Sequence, residues 1–319
     1  MGKLCFGIDI GGTSVKLGIF TENGELVTKW EIPTRTIESG KYILSDVADS
    51  INDKMNELNI EKEQILGIGI GVPGPVTDDG TVLKCVNLGW DVLNVSTRMK
   101  ELTGFTTKVN NDANVAALGE MWQGGGKGYD SIVMVTLGTG VGGGVILNKE
   151  IRTGSKGAAG EIGHLTVNLN EPDSCNCGKK GCLEQFASAT GIVKEAVRLL
   201  EKSTEESTLR TLDTITAKDI FDHAKNGDAI ALQSVEQLGK YLGLALSHVA
   251  AVVDPDAFVI GGGVSKAGTV LIDVIKKYYE QYVMYAIKDC HFELAELGND
   301  AGIYGSAKMI VNVSKDWTF

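Results

Sequence analysis

The chain has 319 residues, 43% apolar and 22% charged, ordinary proportions for a globular protein long enough for two domains. Its net charge of −11 argues against nucleic acid or an anionic membrane as the main partner. No secretory signal follows Met1, Phe6 breaks the myristoylation pattern, and the longest apolar run, Leu242 to Val253, is interrupted by Ser247-His248 and too short to span a bilayer.

In chain order, Leu4 to Ile10 reads as a strand, Gly11-Gly12-Thr13 as a turn and Val15 to Phe20 as a second strand. Asn23-Gly24 turns the chain into a third, Glu25 to Ile32. Tyr42 to Leu58 carries Ile43, Leu44, Val47, Ile51 and Met55 at helical spacing. Ile65 to Val72 is a buried strand that ends in Pro73-Gly74-Pro75. A helix over Val95 to Leu102 and a strand over Thr106 to Val109 lead to Asn110-Asn111-Asp112, and Ala113 to Trp122 reads as a helix. The opening theme then returns: a strand over Ser131 to Leu137, a turn at Gly138-Thr139-Gly140, and a strand over Val141 to Leu147. Helices follow over about Gly191 to Lys202, Ala217 to Lys225 and Ala229 to Val253, the last read either as one helix or as two. Phe258 to Ile260 is a strand, Gly261-Gly262-Gly263 a turn, and Val270 to Tyr282 a helix.

The repeated strand–turn–strand unit points to two related α/β domains. The expected division is a smaller N-terminal domain over 1–124, a larger one over 125–300, and a segment over 301–319 that packs back on the first.

The densest chemistry lies in Glu161-Ile-Gly-His164 and Cys175-Asn-Cys177-Gly-Lys-Lys-Gly-Cys182-Leu-Glu184. His164, Cys175, Cys177 and Cys182 offer four ligands for a tetrahedral Zn²⁺. Four protein ligands leave no open position, so such a metal is structural. Three neighbouring buried thiols are the plainer alternative. Cys5, Cys85 and Cys290 are scattered and read as reduced core thiols of a cytoplasmic protein. Glu161 and Glu184 flank the cluster and suit either support of the metal or acceptance of sugar hydroxyls. His164 can give one ring nitrogen to the metal and keep the other for a ligand.

In Asp9-Ile-Gly11-Gly12-Thr13-Ser14-Val-Lys16, glycine backbone can approach phosphate, Thr13 and Ser14 add hydroxyls, Lys16 adds charge, and Asp9 is placed to hold Mg²⁺ through water. A plain hairpin is the alternative, since the spacing fits neither a Walker loop nor a dinucleotide fingerprint. Gly138, Thr139 and Gly140 form a counterpart, and Gly262, inside the triple glycine, leaves room for a purine. Asn111-Asp112 sits at a strand–helix junction. An N-cap is the first role to expect there; a carboxylate that takes a hydroxyl proton is the second.

Taken together, these residues resemble the ROK family (repressor, open reading frame, kinase) and within it the glucokinases. The likeness rests on Asp9-x-Gly-Gly-Thr13, Asn111-Asp-Ala-Asn114, Leu137-Gly-Thr-Gly-Val-Gly-Gly-Gly144, Glu161-x-Gly-His164 and Cys175-x-Cys-Gly-x-x-Gly-Cys-x-Glu184, and runs from about Leu4 to about Ala307. It implies an actin-like ATPase (ribonuclease H-like) fold, two α/β domains flanking a central cleft. It also implies ATP-dependent phosphorylation of a hexose at its 6-hydroxyl, glucose first. Asp112 is then the base. Asn111, Glu161, His164 and Glu184 bind the sugar with the Gly74 backbone near it, and Asn87 approaches it as well. His164, Cys175, Cys177 and Cys182 hold structural zinc, and Gly12, Thr13, Ser14, Lys16 and Thr139 cradle phosphates. A homodimer is the family habit. Because the chain opens at its first strand, no DNA-binding helix-turn-helix is expected. The rival readings are a kinase for N-acetylmannosamine or fructose and a sugar sensor without catalysis, and polyphosphate is open as an alternative donor.

Overall fold

The computed structural model describes residues 2–316. They fall into two compact units. The first runs to Asp130 and adds Gly144–Ala159 and the chain from Leu297; the second is Ser131–Gly143 with Gly160–Glu296.

The first unit is built on a five-stranded sheet. Strands β1 (Leu4–Ile10), β2 (Ser14–Thr21) and β3 (Leu26–Pro33) form an antiparallel meander, and β4 (Ile65–Val72) and β5 (Thr107–Asn111) continue it in parallel, in the order β3-β2-β1-β4-β5. The central strands are apolar almost throughout because both faces are covered. Phe6, Ile8, Ile10, Ile68 and Ile70 pack under helix α1 (Ile43–Glu57), which presents Ile43, Val47, Ile51 and Met55 as one stripe. Helix α2 (Val95–Thr103) adds Val95 and Met99 to the same core.

The opposite face receives helix α8 (Ala301–Asp316), whose Ile303, Ala307, Ile310 and Val311 meet Cys5 and Phe20. Sequence reading places this stretch against the first domain without identifying a helix. Its period is diluted by Gly302 and Gly305, yet the small residues are what let it lie directly on the sheet. A Cβ at Gly69 would stand 1.7 Å from the Ser306 carbonyl oxygen. The Ser306 hydroxyl in turn donates to the Ile8 carbonyl at 2.8 Å. Helix α3 (Asp112–Gln123) follows β5 directly.

In the second unit β6 (Ile132–Leu137), β8 (Ala257–Gly261) and β9 (His291–Leu294) are parallel, with β8 paired to both others. Strand β7 (Val141–Leu147) begins in this unit and ends in the first. Helices α4 (Ala189–Lys202), α5 (Ala217–Lys225), α6 (Ala229–Val253) and α7 (Thr269–Tyr282) surround the strands in the chain. Of the two readings of α6, the unbroken one holds; it is one helix of 25 residues. Gly239 and Gly243 do not interrupt it but admit Val274 and the Tyr279 backbone of α7, and Ser247 satisfies its own hydroxyl on the Leu244 carbonyl at 2.7 Å. Strand β9 escapes sequence reading because it has four residues and no alternation.

Gly69→Ala should be among the most damaging single-methyl changes in the first unit. It must force α8 off the sheet or fail to fold, costing about 3 kcal/mol or more, and a denaturant midpoint close to wild type would refute this packing.

Candidate active site

Two groups of side chains, one in each unit, carry the chemistry. In the first unit β1 turns into β2 through Gly11–Thr13. The Gly11 amide donates to the Ser14 carbonyl at 3.0 Å. Thr34, after β3, braces the turn: its amide reaches the Thr13 carbonyl and its hydroxyl the Gly11 carbonyl at 2.7 Å. Gly12 and Thr13 are exposed and Ser14 is half-buried. Asp9 stands opposite Lys16 in the ladder, and Lys16 Nζ donates to the Asn299 carbonyl at 3.1 Å. That contact already occupies one of the ammonium's donors.

Asp9 also faces Gly302 in the first turn of α8. Burial, and secondarily the nearby Asp112 carboxylate, push the Asp9 carboxyl up to about 6, while Lys16 pulls against them.

At the end of β5 the Asn-Asp pair divides its roles. Asn111 is the N-cap of α3: its Oδ1 accepts from the Ala113 and Asn114 amides at 3.0 and 3.3 Å. Its Nδ2 donates to the Gly74 carbonyl at 3.1 Å, which ties the loop after β4 to the helix start. Asp112 is the first helical residue, is exposed, and accepts from the Ala113 amide at 2.8 Å. The capping expected of the pair is therefore carried by Asn111. Asn87 lies in the same region, with its carbonyl oxygen 3.7 Å from a Cβ position on Gly12.

In the second unit β6 ends at the Gly138–Gly140 turn, closed by a bond from the Gly138 amide to the Gly140 carbonyl at 3.0 Å. The start of α4 docks on this turn. The Ala189 amide donates to the Gly138 carbonyl at 2.8 Å and the Thr190 hydroxyl to the Thr139 carbonyl at 2.6 Å. Sequence reading missed Ser188 and Thr190. The signal was Ser188 ahead of a helical run, since its hydroxyl caps α4 by accepting from the Gly191 amide at 2.9 Å. A Cβ on Gly140 would lie 2.7 Å from Glu184 Oε2, so a side chain there would have to displace that carboxylate from the turn.

Glu184 Oε1 accepts from the Cys175 thiol at 2.8 Å and lies 3.7 Å from His164 Nδ1, while His164 Nε2 is 4.0 Å from Glu161 Oε2. The ligand atoms of His164, Cys175, Cys177 and Cys182 all lie within 4.8 Å of one another. Cys177 and Cys182 sulfurs are 3.6 Å apart, and the Cys175 sulfur is 3.8 Å from His164 Nδ1. Zn–S bonds of about 2.3 Å in a tetrahedron put sulfurs about 3.8 Å apart, so the donor set fits zinc. The fold brings the four together by crossing two strips of chain: the Leu183 amide donates to the Leu165 carbonyl and the Val167 amide to the Gly181 carbonyl, both at 2.8 Å.

A cavity of about 440 Å³ opens beside this group, lined by Thr139, Gly140, Cys175, Glu184, Thr190 and Lys194 among others. A second, of about 190 Å³, is lined by Ala189, Ala217, Phe221, Gly263, Val264 and Ala267 with lysines at its rim. Gly262 does not line it but shapes the turn that does, at φ 83°. Phe221 and Ala217 were not foreseen, because nothing in the sequence ties α5 to the glycine turn.

The model of the ROK family matches residues 5–313. The chain belongs to the ROK family. This member is 42% identical over 309 residues to a glucokinase of Halalkalibacterium halodurans, covering 95% of the chain and 94% of that protein. It is 32% identical to a ROK family glucokinase from Streptomyces griseus solved in complex with glucose and AMPPNP, with a TM-score of 0.72 over 96% and 98% of the two chains. The ROK hexokinase from Thermus thermophilus gives 28% identity and a TM-score of 0.79 over 98% and 99%. The expected actin-like ATPase fold is thus the fold of this chain.

The raised Asp9 carboxyl has a signed consequence. Its folded value lies above the unfolded one, so the native state holds the proton more tightly, and stability falls as pH rises from about 4 to about 6. Asp9→Asn should remove up to about 3 kcal/mol of that dependence. Melting curves of both proteins at pH 4 and 6.5 check this; a wild type whose slope matches the variant's contradicts the environment described for Asp9.

Proposed function

We propose that this ROK member transfers the γ-phosphoryl group of ATP to the 6-hydroxyl of glucose. The reading is carried by Asp112, which stands exposed at the first turn of α3 while Asn111 takes the cap. The relatedness to glucokinases over 95% of the chain supports it.

Asp112 accepts the proton of the 6-hydroxyl as its oxygen bonds to the γ-phosphorus. The bond from phosphorus to the bridging oxygen breaks, and ADP leaves with that oxygen's electron pair. The reaction is a proton-coupled displacement without a covalent enzyme intermediate, so the protein's contribution is position and charge. Asn111, with Gly74 bound to its amide, fixes the approach of the hydroxyl. Glu161, His164 and Glu184 accept or donate to the remaining sugar hydroxyls. The exposed Gly12 and Thr13 and the half-buried Ser14, with Gly11 as the pivot of their turn, and Gly138, Thr139 and Gly140 receive phosphates, with Lys16 adding charge. The cavity beneath Gly262 suits the purine, where Phe221 offers a flat apolar wall.

Mg²⁺ supplies neutralisation of the phosphate charge, and Asp9 is the residue to hold it through water once ionised. His164, Cys175, Cys177 and Cys182 would hold zinc, which would supply a fixed cross-link between the two strips of the knuckle. A thiolate ligand has no proton to donate, so Glu184 would lose its bond from Cys175 and be left to accept from the sugar. No helix among the described residues is long and apolar enough to cross a membrane. A cytoplasmic homodimer is the assembly we expect.

Asp112→Asn keeps shape and removes the base. Glucose phosphorylation measured by ADP release should fall about 10²- to 10⁴-fold with glucose still bound. Turnover within a few fold of wild type would discard Asp112 as the base.

A further inference from the structure

The segment that delivers Cys175 is held from behind by an ion cluster that meets the site described above only at Lys194, on the wall of its cavity. Glu171 and Asp173 lie on the loop just ahead of Cys175, and Lys194, Glu195 and Arg198 lie on α4. Arg198 Nη1 and Nη2 donate to Glu171 Oε2 and Oε1 at 2.9 and 2.6 Å, a two-pronged pairing. The same guanidinium reaches Asp173 Oδ2 at 2.7 Å and Glu195 Oε1 at 2.7 Å. Lys194 Nζ adds a bond to Asp173 at 2.6 Å. The Glu171 side chain is 2% exposed, Arg198 23%. A carboxylate so enclosed is tolerable only with its partner in place, and only a planar fork serves Glu171 twice and both neighbours once.

The cluster is linked to the metal ligands through the backbone. Gln185 Nε2 donates to the Asp173 carbonyl at 3.0 Å, and Gln185 Oε1 accepts from the Cys182 amide at 3.0 Å. The Asp173 amide donates to Glu171 Oε1 at 3.1 Å. Both the approach to Cys175 and the amide of Cys182 are therefore referred to one guanidinium on α4. That helix also carries Thr190, bonded to the Thr139 turn.

We propose that Arg198 is a positioning residue for the metal knuckle: its fork holds Glu171 and Asp173 so that Cys175 arrives facing His164 and Glu184. The inference rests on the reading of the cluster as a zinc site and adds a device that keeps the metal in place and the sugar-binding carboxylate aligned. Outer groups that orient ligands typically change metal affinity by about 10- to 100-fold.

Arg198→Lys in the full-length, zinc-loaded protein keeps the charge and removes the fork. Zinc release to an excess of a metallochromic chelator should accelerate about tenfold or more, and KM for glucose should rise while KM for ATP stays. Val259→Ala, a core change in β8, should release zinc at the wild-type rate. Wild-type release from folded Arg198→Lys overturns the proposal, as does equal acceleration in Val259→Ala. If Arg198→Lys does not fold, Asp173→Asn carries the test at a half-exposed position, with faster release expected and unchanged release overturning the proposal. Wild-type protein that holds no zinc would sink the zinc reading, and the proposal with it. Zinc held equally well by wild type and variants sinks the proposal alone.

Discussion

Convergence of His164 with three cysteine sulfurs is the constraint on which the second unit's chemistry depends. The segments that bring them are short, glycine-rich and poor in core residues, so hydrophobic burial alone holds them weakly. Cys175 shows what the arrangement costs. Burial, then its bond to the Glu184 carboxylate, push the thiol up to about 12, whereas amides around Lys179 draw Cys177 down. A cation among these sulfurs relieves that conflict by replacing thiol protons. The same step would leave Glu184 with an oxygen to offer, so in the proposed reading the cross-link and the sugar contact are coupled through one carboxylate.

The first unit solves a different problem. The base proposed at Asp112 must be exposed enough to meet a hydroxyl, yet fixed in place. The Asn111-Asp112 pair separates these demands. Asn111 satisfies the helix start and ties down Gly74, and Asp112 keeps a rigid backbone without being the cap. Behind the pair, α8 lies against Gly69 and starts beside Asp9, so the last helix of the chain helps enclose the carboxyl at the end of the first strand.

Much of this was legible in the sequence because the decisive residues announce themselves by type and spacing. The long elements are readable from periodicity: Val141–Leu147 and Ala217–Lys225 carry the bounds expected of them. Family motifs made the actin-like fold an expectation as well. Other features were not legible for identifiable reasons. The helix from Ala301 hides its stripe behind glycines that serve close packing, and α6 stays unbroken because its glycines admit a neighbour. The four-residue strand His291–Leu294 is too short for a pattern. The walls of the cavity near Gly263 come from α5, and the ion cluster around Arg198 joins residues up to 27 positions apart. Such juxtapositions are products of packing, and no local signal encodes them. The division of labour between Asn111 and Asp112 also needed geometry, since both residue types cap helices equally well.

If a metal held by His164, Cys175, Cys177 and Cys182 keeps the proposed sugar-binding side chains in register, its removal should be felt by glucose. In calorimetric titrations of glucose into the protein before and after chelation of its zinc, glucose binding should weaken about tenfold or more on metal removal and return with added zinc, while nucleotide binding measured in parallel is kept. Unchanged glucose affinity in metal-free protein would contradict it.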